Sequence, residues 1–582
     1  MERNFLLALA LSFLVLTLWT FYTAPPTPPP GARPEGAPAE APAPVGPGDA
    51  APEAPATPPA APAPAPRAEP APGQAAAEAR VFELQTDRVH AAFTTRGGGL
   101  LHWELRDYDD AYQPGRPPVE LTAFDPEREV GLFTPLESLG AGDLRFAPYR
   151  GEALDSLTLR FVLAQHGVEV RKTYRLERDA YLLSLRVEID NRSQRVLRPT
   201  FRVGWPTRGR TTPDWSELSL AALVDGDLEE MRLTPGGAAA GGFFGGNGGP
   251  VEHPLAVDWA GANTRYFLGA LIPEVPRDAA ARLIPGGNDS PAVVEIAQQP
   301  VSLPPGQSAA REYRVYLGPK ESAHLEAIGA NLDQAVLKGW FPSLTDFFTA
   351  VLVATYRVVP NYGVAIILIT IVVRLLMYPV MQRQMRSMKR MSAIQPRLKE
   401  IQEKYADDRQ RQSEEMMKLY RESGFNPLSG CLPMVLQLPV FIGLYYALQG
   451  SIQLRQEPFF GWIRDLAAPE ALFVIPGLEL PVRLLPILMG GSMVLQTRLT
   501  PTTMDPAQAR MMNTIMPVMF TFMFYQFASG LVLYWLISNL LGIGQQLLIN
   551  RSSEAAEPRG EVSGGRTPRP LQQGKRRVRP EE

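Results

Sequence analysis

Apolar residues follow two different rhythms in the two halves of the chain. From residue 80 to about 318 they alternate. Leu183, Leu185, Val187 and Ile189 are interleaved with Ser184, Arg186 and Glu188, and Val168, Val170, Tyr174 and Leu176 keep the same period of two. That period belongs to a strand with one face buried. Turn signals at Gly97-Gly98-Gly99, Asn191-Arg192-Ser193 and Gly286-Gly287-Asn288-Asp289 punctuate the pattern. Residues 80–318 therefore predict an antiparallel β-sandwich, with the Gly-rich stretch 236–249 as a mobile loop.

Elsewhere the apolar residues are continuous. Runs occupy 5–22, 363–380, 427–448, 484–497, 513–528 and 531–549. Each is near the length that crosses about 30 Å of hydrocarbon, several at the short end of the range. They predict six membrane helices. The first run reads as a cleaved signal peptide or as an uncleaved anchor; Tyr22 is bulky for a cleavage site and Pro25 follows at once, which favours the anchor. His324, Leu325, Ile328, Leu332, Val336 and Leu337 recur at helical spacing and precede Trp340, Phe341 and Phe347-Phe348. This predicts a helix lying in the outer interface. A seventh span over 341–359 is disfavoured by Asp346, Arg357 and Pro360. Segment 381–424 is helical by composition, with a hairpin turn at Asp407-Asp408 and Pro396 as a kink or restart.

Composition adds a spacer and an orientation. Pro supplies 19 of the 50 residues from 25 to 74, too little apolar side chain to build a core, so 24–79 predicts a disordered, partly polyproline-like linker. Segment 381–424 holds 11 basic and 7 acidic residues, the tail 551–582 holds 8 and 5, and segment 451–483 holds 3 and 4. Basic loops stay cytoplasmic. The predicted order is an anchor at 1–23, the linker, an exterior sandwich at 80–319 and an interfacial connection at 320–360. A five-helix core at 361–550 with the cytoplasmic hairpin 381–424 follows, then a basic cytoplasmic tail at 551–582.

Several chemistries are disfavoured. One cysteine, Cys431, excludes intramolecular disulfides, and five widely spaced histidines offer no metal-ligand pattern. A formal charge of −3 argues against a nucleic-acid scaffold. The sandwich carries acids and histidines but no catalytic spacing. The chain reads as a protein without covalent catalysis and without a cofactor.

Arg374 is the most informative residue. It lies eleven residues into the run that begins at 363 and costs on the order of 2.5 to 3.5 kcal/mol to insert. Snorkelling to the cytoplasmic interface is the dull alternative. The last five runs contain no Asp or Glu to neutralise it, whereas an ion-coupled transporter commonly uses intramembrane carboxylates. An unpaired Arg calls for a hydrated cavity. Thr370, Gln437, Gln496, Asn513, Asn539, Gln545 and Gln546 are candidates to line it, or to bond helix to helix. Met381, Met385, Met388 and Met391 form a stripe suited to varied apolar clients or to packing within the hairpin. Lys575, Arg576, Arg577 and Arg579 suit ribosomal RNA, anionic lipid, or topology determination alone. A small-solute transporter and a membrane-anchored sugar-binding or sugar-modifying sandwich are the competing classes; neither an internal repeat nor paired intramembrane charges support the first.

The chain resembles the YidC/Oxa/Alb family of membrane protein insertases in its long Gram-negative form. The resemblance rests on Tyr362-Gly363, Ile371 to Arg374, Met377-Tyr378-Pro379, Gln395-Pro396 and Asn426-Pro427-Leu428 with Gly430-Cys431. It continues through Gln437 and Pro439, Leu454-Arg455-Gln456, Pro501-Thr502-Thr503, Asp505-Pro506, Met516-Pro517, Ser529 to Trp535 and Ser538-Asn539. It implies an exterior β-supersandwich, and a groove open to cytoplasm and lipid in which Arg374 receives the hydrophilic part of a nascent protein. It further implies client contact at Thr370 and Trp535, the latter where many relatives carry Tyr. Implied partners are nascent membrane proteins, the Sec translocon, lipids, the ribosome and the signal recognition particle receptor, with the chain as a monomer in the bacterial inner membrane.

Overall fold

A computed structural model describes residues 79–110, 115–140, 142–210, 217–234, 237–239, 249–287, 289–423, 432–477, 480–499 and 511–554. Side chains of 385–393, 409, 432–435, 511–512 and 549–554 lie outside this description. So do the predicted anchor, nearly all of the linker, the basic tail from 555 onward with Lys575, Arg576, Arg577 and Arg579, and most of the Gly-rich loop. The contacts divide the chain into two units, one including residues 394–424 and the other including 76–393 and 425–582.

The larger unit begins with the predicted sandwich. A nine-stranded antiparallel sheet runs in spatial order from Asp227–Arg232 through Ser219–Val224, Val257–Asn263, Phe267–Pro273, Ser308–Pro319, Leu182–Asn191, Val168–Leu176 and Thr158–Gln165 to Arg150–Asp155. Two four-stranded sheets accompany it, one built from Val81–Gln85 to Pro118–Glu120 and the other including Ala279–Ile284, Ala292–Gln298 and Arg202–Thr207. The period-two positions Leu183, Leu185, Val187 and Ile189 are all buried, as the alternation requires. Trp103 Nε1 donates to the Leu317 carbonyl at 2.9 Å, tying the first smaller sheet to the large one, and Tyr313 Oη donates to the Phe201 carbonyl, just before the strand Arg202–Thr207 of the second, at 3.2 Å.

One core position breaks the apolar rule. Lys172 lies in register with Val168, Val170, Tyr174 and Leu176 on the inward face and is fully buried. Its Nζ donates to the Gly97 carbonyl at 2.7 Å and sits 5.2 Å from the Tyr149 ring centroid. Desolvation pulls its pKa down to about 7. The turn that receives it needs glycine: Gly97 has φ +72°, and a Cβ there would lie 2.0 Å from the Arg145 carbonyl oxygen.

The helices begin where the sandwich ends. Helix α1 (Ser322–Ile328) stops at Gly329, a 3-10 turn follows at Leu332–Ala335, and α2 (Pro342–Val358) packs against α5 (Leu432–Gly450). The expected interfacial helix and connection span 320–360; within that range Gly329, with φ +77°, divides the stretch that shows helical spacing, and the long helix starts at Pro342. Helix α3 (Tyr362–Lys404) runs through both Pro379 and Pro396. Pro396 therefore neither ends nor restarts it; a proline removes one backbone hydrogen bond, and a long helix can continue through that loss. Also present are α6 (Leu484–Leu499), α7 (Met516–Phe524, after a π turn at Met511–Ile515) and α8 (Ser529–Glu554). Among the described residues, Tyr362–Gln384 and Ser529–Leu548 are long and apolar enough to cross a membrane, and Leu484–Leu499 and Asn513–Phe524 are shorter apolar helices.

In the smaller unit, the end of α3 turns back through 405–408 into α4 (Arg409–Glu422). Asp408 caps α4, its Oδ1 accepting from the Arg411 amide at 3.0 Å. Gln412 Nε2 donates to the Gln402 carbonyl at 3.0 Å, and Leu398 and Leu419 are buried.

Candidate functional site

Helix α8 builds the site by its spacing. Tyr534, Ser538 and Gly542 are four residues apart and so share one face. Ser538 receives Arg374 of α3: Nε and Nη2 both donate to Oγ, at 3.0 and 2.6 Å. Gly542 leaves room beside the guanidinium, because a Cβ there would lie 3.6 Å from both Nη atoms and 3.1 Å from Gln496 Nε2 of α6. One turn the other way, Tyr534 Oη accepts from Gln437 Nε2 of α5 at 2.8 Å. Four helices thus contribute polar side chains to one cluster.

Among the described residues, Arg374 is hydrogen-bonded to Ser538 and ion-paired to no carboxylate. Among the described residues, the group that bonds it is a neutral hydroxyl. Around it, Asn539 Nδ2 donates to Ser492 Oγ at 2.9 Å and Gln546 Nε2 to the Leu499 carbonyl at 2.5 Å, two bonds that join α8 to α6. Asn513 Oδ1 and Gln545 Nε2 are buried without a partner among the described residues. Buried amide atoms ordinarily find one.

The candidates from the sequence separate into groups. Arg374 and Gln496 meet beside Gly542, and Gln437 joins the same α8 face through Tyr534. Thr370 is one turn from Arg374 but fully buried, its hydroxyl donating to the Ile366 carbonyl of its own helix at 2.6 Å. Trp535 turns away from Arg374 into an aromatic cluster, with ring centroids 5.1 Å from Phe441, 6.0 Å from Phe520 and 5.0 Å from Phe524. Met381 is partly exposed on α3; the side chains of Met385, Met388 and Met391 lie outside the description. Tyr534, Ser538 and Gly542 are not among the groove candidates read from the sequence, although Tyr534 and Ser538 fall within its family motifs and the four-residue spacing places all three on one face. Among the described residues no group of His, Cys, Asp and Glu is placed to hold a metal ion.

The helical half is also tied to the sandwich. After α5, Arg455 Nη2 and Gln456 Nε2 both donate to the Asp109 carbonyl at 2.7 Å, and Gln449 Nε2 donates to Glu217 Oε1 at 3.2 Å. At the start of α3, a Cβ on Gly363 would lie 2.0 Å from the Phe459 ring, so only glycine admits that ring.

Known proteins share this arrangement of parts along the chain. A family model described as the YidC periplasmic domain matches residues 82–352, and one described as the 60Kd inner membrane protein matches 354–556. The membrane protein insertase YidC of Geobacter sp. (strain M21) is 33% identical over 496 residues, covering 82% of this chain and 87% of its own. The chain belongs to the YidC family of membrane protein insertases. Its relative from Pelobacter propionicus is 36% identical over 488 residues, covering 82% of this chain and 88% of its own. A solved structure, described as an active YidC insertase with the first transmembrane domain resolved, covers 79% of this chain and 91% of its own at 18% identity and a TM-score of 0.34. This is a bacterial inner-membrane family of insertases, not of enzymes.

Proposed function

We propose that the chain inserts nascent membrane proteins through a polar groove centred on Arg374, without covalent chemistry. The observation that carries this reading is the guanidinium itself: half-buried, on a helix apolar enough to span a membrane, and held only by the Ser538 hydroxyl among the described residues. A carboxylate brought to about 4 Å from it gains about 4 kcal/mol at an effective dielectric near 20. That is comparable to the cost of keeping Arg at mid-span, about 2.5 to 3.5 kcal/mol. An acidic client segment can therefore supply the countercharge that the protein withholds. Gln437, Gln496, Asn513 and Gln545 offer hydrogen bonds to the client backbone, while Thr370 and Trp535 shape the wall.

Around this groove the chain makes six spans, with both termini cytoplasmic and the sandwich periplasmic; the basic excess of 381–424 and 551–582 supports that orientation. Short spans thin the bilayer locally and shorten the apolar path. The Met381, Met385, Met388 and Met391 stripe and the tail residues Lys575, Arg576, Arg577 and Arg579 meet clients, targeting factors, ribosome or lipid. The chain works as a monomer, alone or beside the Sec translocon.

The test is the chain alone in liposomes, supplied with a single-span client bearing an acidic exterior tail and scored by protease protection. Protection above empty liposomes that falls with Arg374→Ala supports the groove. An absence of protection in a folded, correctly oriented sample overturns autonomous insertion, and equal protection with Arg374→Ala overturns the electrostatic role.

A further inference from the structure

The segment between α5 and α6 ends in a hairpin that, among the described residues, pairs with no other strand. Strands Phe473–Ile475 and Leu480–Val482 pair antiparallel as a separate two-stranded sheet. Phe473 is paired with Val482 and Ile475 with Leu480, so these four share one face, while Leu472, Val474 and Pro481 share the other. Both faces are apolar and both are bare: Phe473, Val474 and Leu480 are each about half exposed. An isolated two-stranded hairpin is marginal in water. One with two uncovered apolar faces marks a contact with lipid or with another protein.

Its position names the medium. The second strand ends at Val482 and α6 starts two residues later, at Leu484. Arg483 between them donates to the Tyr525 carbonyl and to Gln526 Oε1, and Tyr525 Oη donates to the Pro481 carbonyl, so the hairpin is fixed to the chain just after α7. Glu470 Oε1 accepts from the Leu485 amide at 2.7 Å and fastens the chain before the hairpin to the first turn of α6. In sequence, 471–482 contains one ionisable residue, Glu479. These are the features of an element at the boundary of headgroups and acyl chains, where apolar side chains enter lipid and a single carboxylate can stay at headgroup level.

We propose that the 472–482 hairpin is a lipid-embedded element, lying in the leaflet on the sandwich side beside the entry of α6. It anchors the outer ends of α6 and α7 to that leaflet and displaces acyl volume there. The occupant of its apolar faces is phospholipid. The inference rests on α6 being a span.

The test uses full-length chain carrying Cys431→Ser, with a polarity-sensitive fluorophore on Phe473→Cys, Leu480→Cys or Leu488→Cys in turn, in phosphatidylcholine vesicles with and without brominated acyl chains. Leu488, exposed within α6, reports the span itself. Expected is loss of most of the emission at all three positions with brominated lipid, and little loss with aqueous iodide. Quenching at Leu488 with iodide quenching at 473 and 480 would overturn the hairpin proposal and leave the span standing. Protection at 473 and 480 from both quenchers would mean a protein covers the hairpin and would also overturn it. Failure of lipid quenching at Leu488 would overturn the membrane placement of α6 and the proposal with it.

Discussion

Arg374 spends two of its donors on the single hydroxyl of Ser538, at 3.0 and 2.6 Å. The geometry fixes where the cation points without neutralising it. Ser538→Ala removes both bonds; hydrogen bonds to charged groups are worth about 1.5 to 3 kcal/mol, so the guanidinium should lose its fixed direction. Client protection is expected to fall several-fold at unchanged protein abundance, and Ser538→Thr, which keeps the hydroxyl, should restore most of it. Insertion by Ser538→Ala at the level of the parent chain would show that the direction of Arg374 does not matter.

Thr370 gives the opposite expectation. Its hydroxyl is already bonded to Ile366 within α3 and no surface of it is exposed. Thr370→Val keeps the shape and removes only one intrahelical bond, so insertion should change far less than with Arg374→Ala in the same protease-protection assay. A loss equal to that of Arg374→Ala would mean that the hydroxyl turns toward the client during insertion.

The entry of α3 depends on a close approach. Gly363→Ala would drive a methyl group into the Phe459 ring, and overpacking of this kind typically costs about 1 to 3 kcal/mol. Thermal unfolding in detergent should show the loss, and Gly363→Ala combined with Phe459→Ala should be less damaging than the two single changes predict together. Strict additivity of the two changes would contradict the contact.

Lys172 makes the sandwich sensitive to pH. Its pKa is about 7 in the folded chain against 10.5 in the unfolded one. Between those values the unfolded chain binds the proton that the folded chain refuses, so stability rises with pH across that window and levels off below it. Each pH unit is worth about 1.4 kcal/mol for one group. Calorimetry of the full chain in detergent should show the sandwich transition climbing as pH is raised above 7. Lys172→Met should flatten the climb and raise the transition at neutral pH by several degrees, provided the side chain fits the same space.

The sandwich was legible because its signal is local: a period of two on Leu183 to Ile189 states which side is buried, and the structure buries those residues. In the helical half the signal is weaker. When almost every residue of a helix is apolar, hydrophobicity no longer reports its rotation, so the sequence could not tell that Tyr534 faces the Arg374 cluster while its neighbour Trp535 faces Phe441 and Phe524. Nor does periodicity reveal which distant segments meet. Arg455 reaches the Asp109 carbonyl across 346 positions of sequence, and a main-chain acceptor leaves no trace in residue type. Pro396 left a kink and a restart both open for a related reason, since a proline signals a lost bond but does not say whether the rest of the helix can bear it; the helix continues through it.

The bonds from Arg455 and Gln456 to Asp109 end on a peptide oxygen, and every amino acid carries one. Side-chain drift at position 109 therefore leaves the joint in place so long as the strand Gly99–Asp109 keeps its path. The sandwich can change its surface through generations of substitution while its attachment to the helical half stays the same.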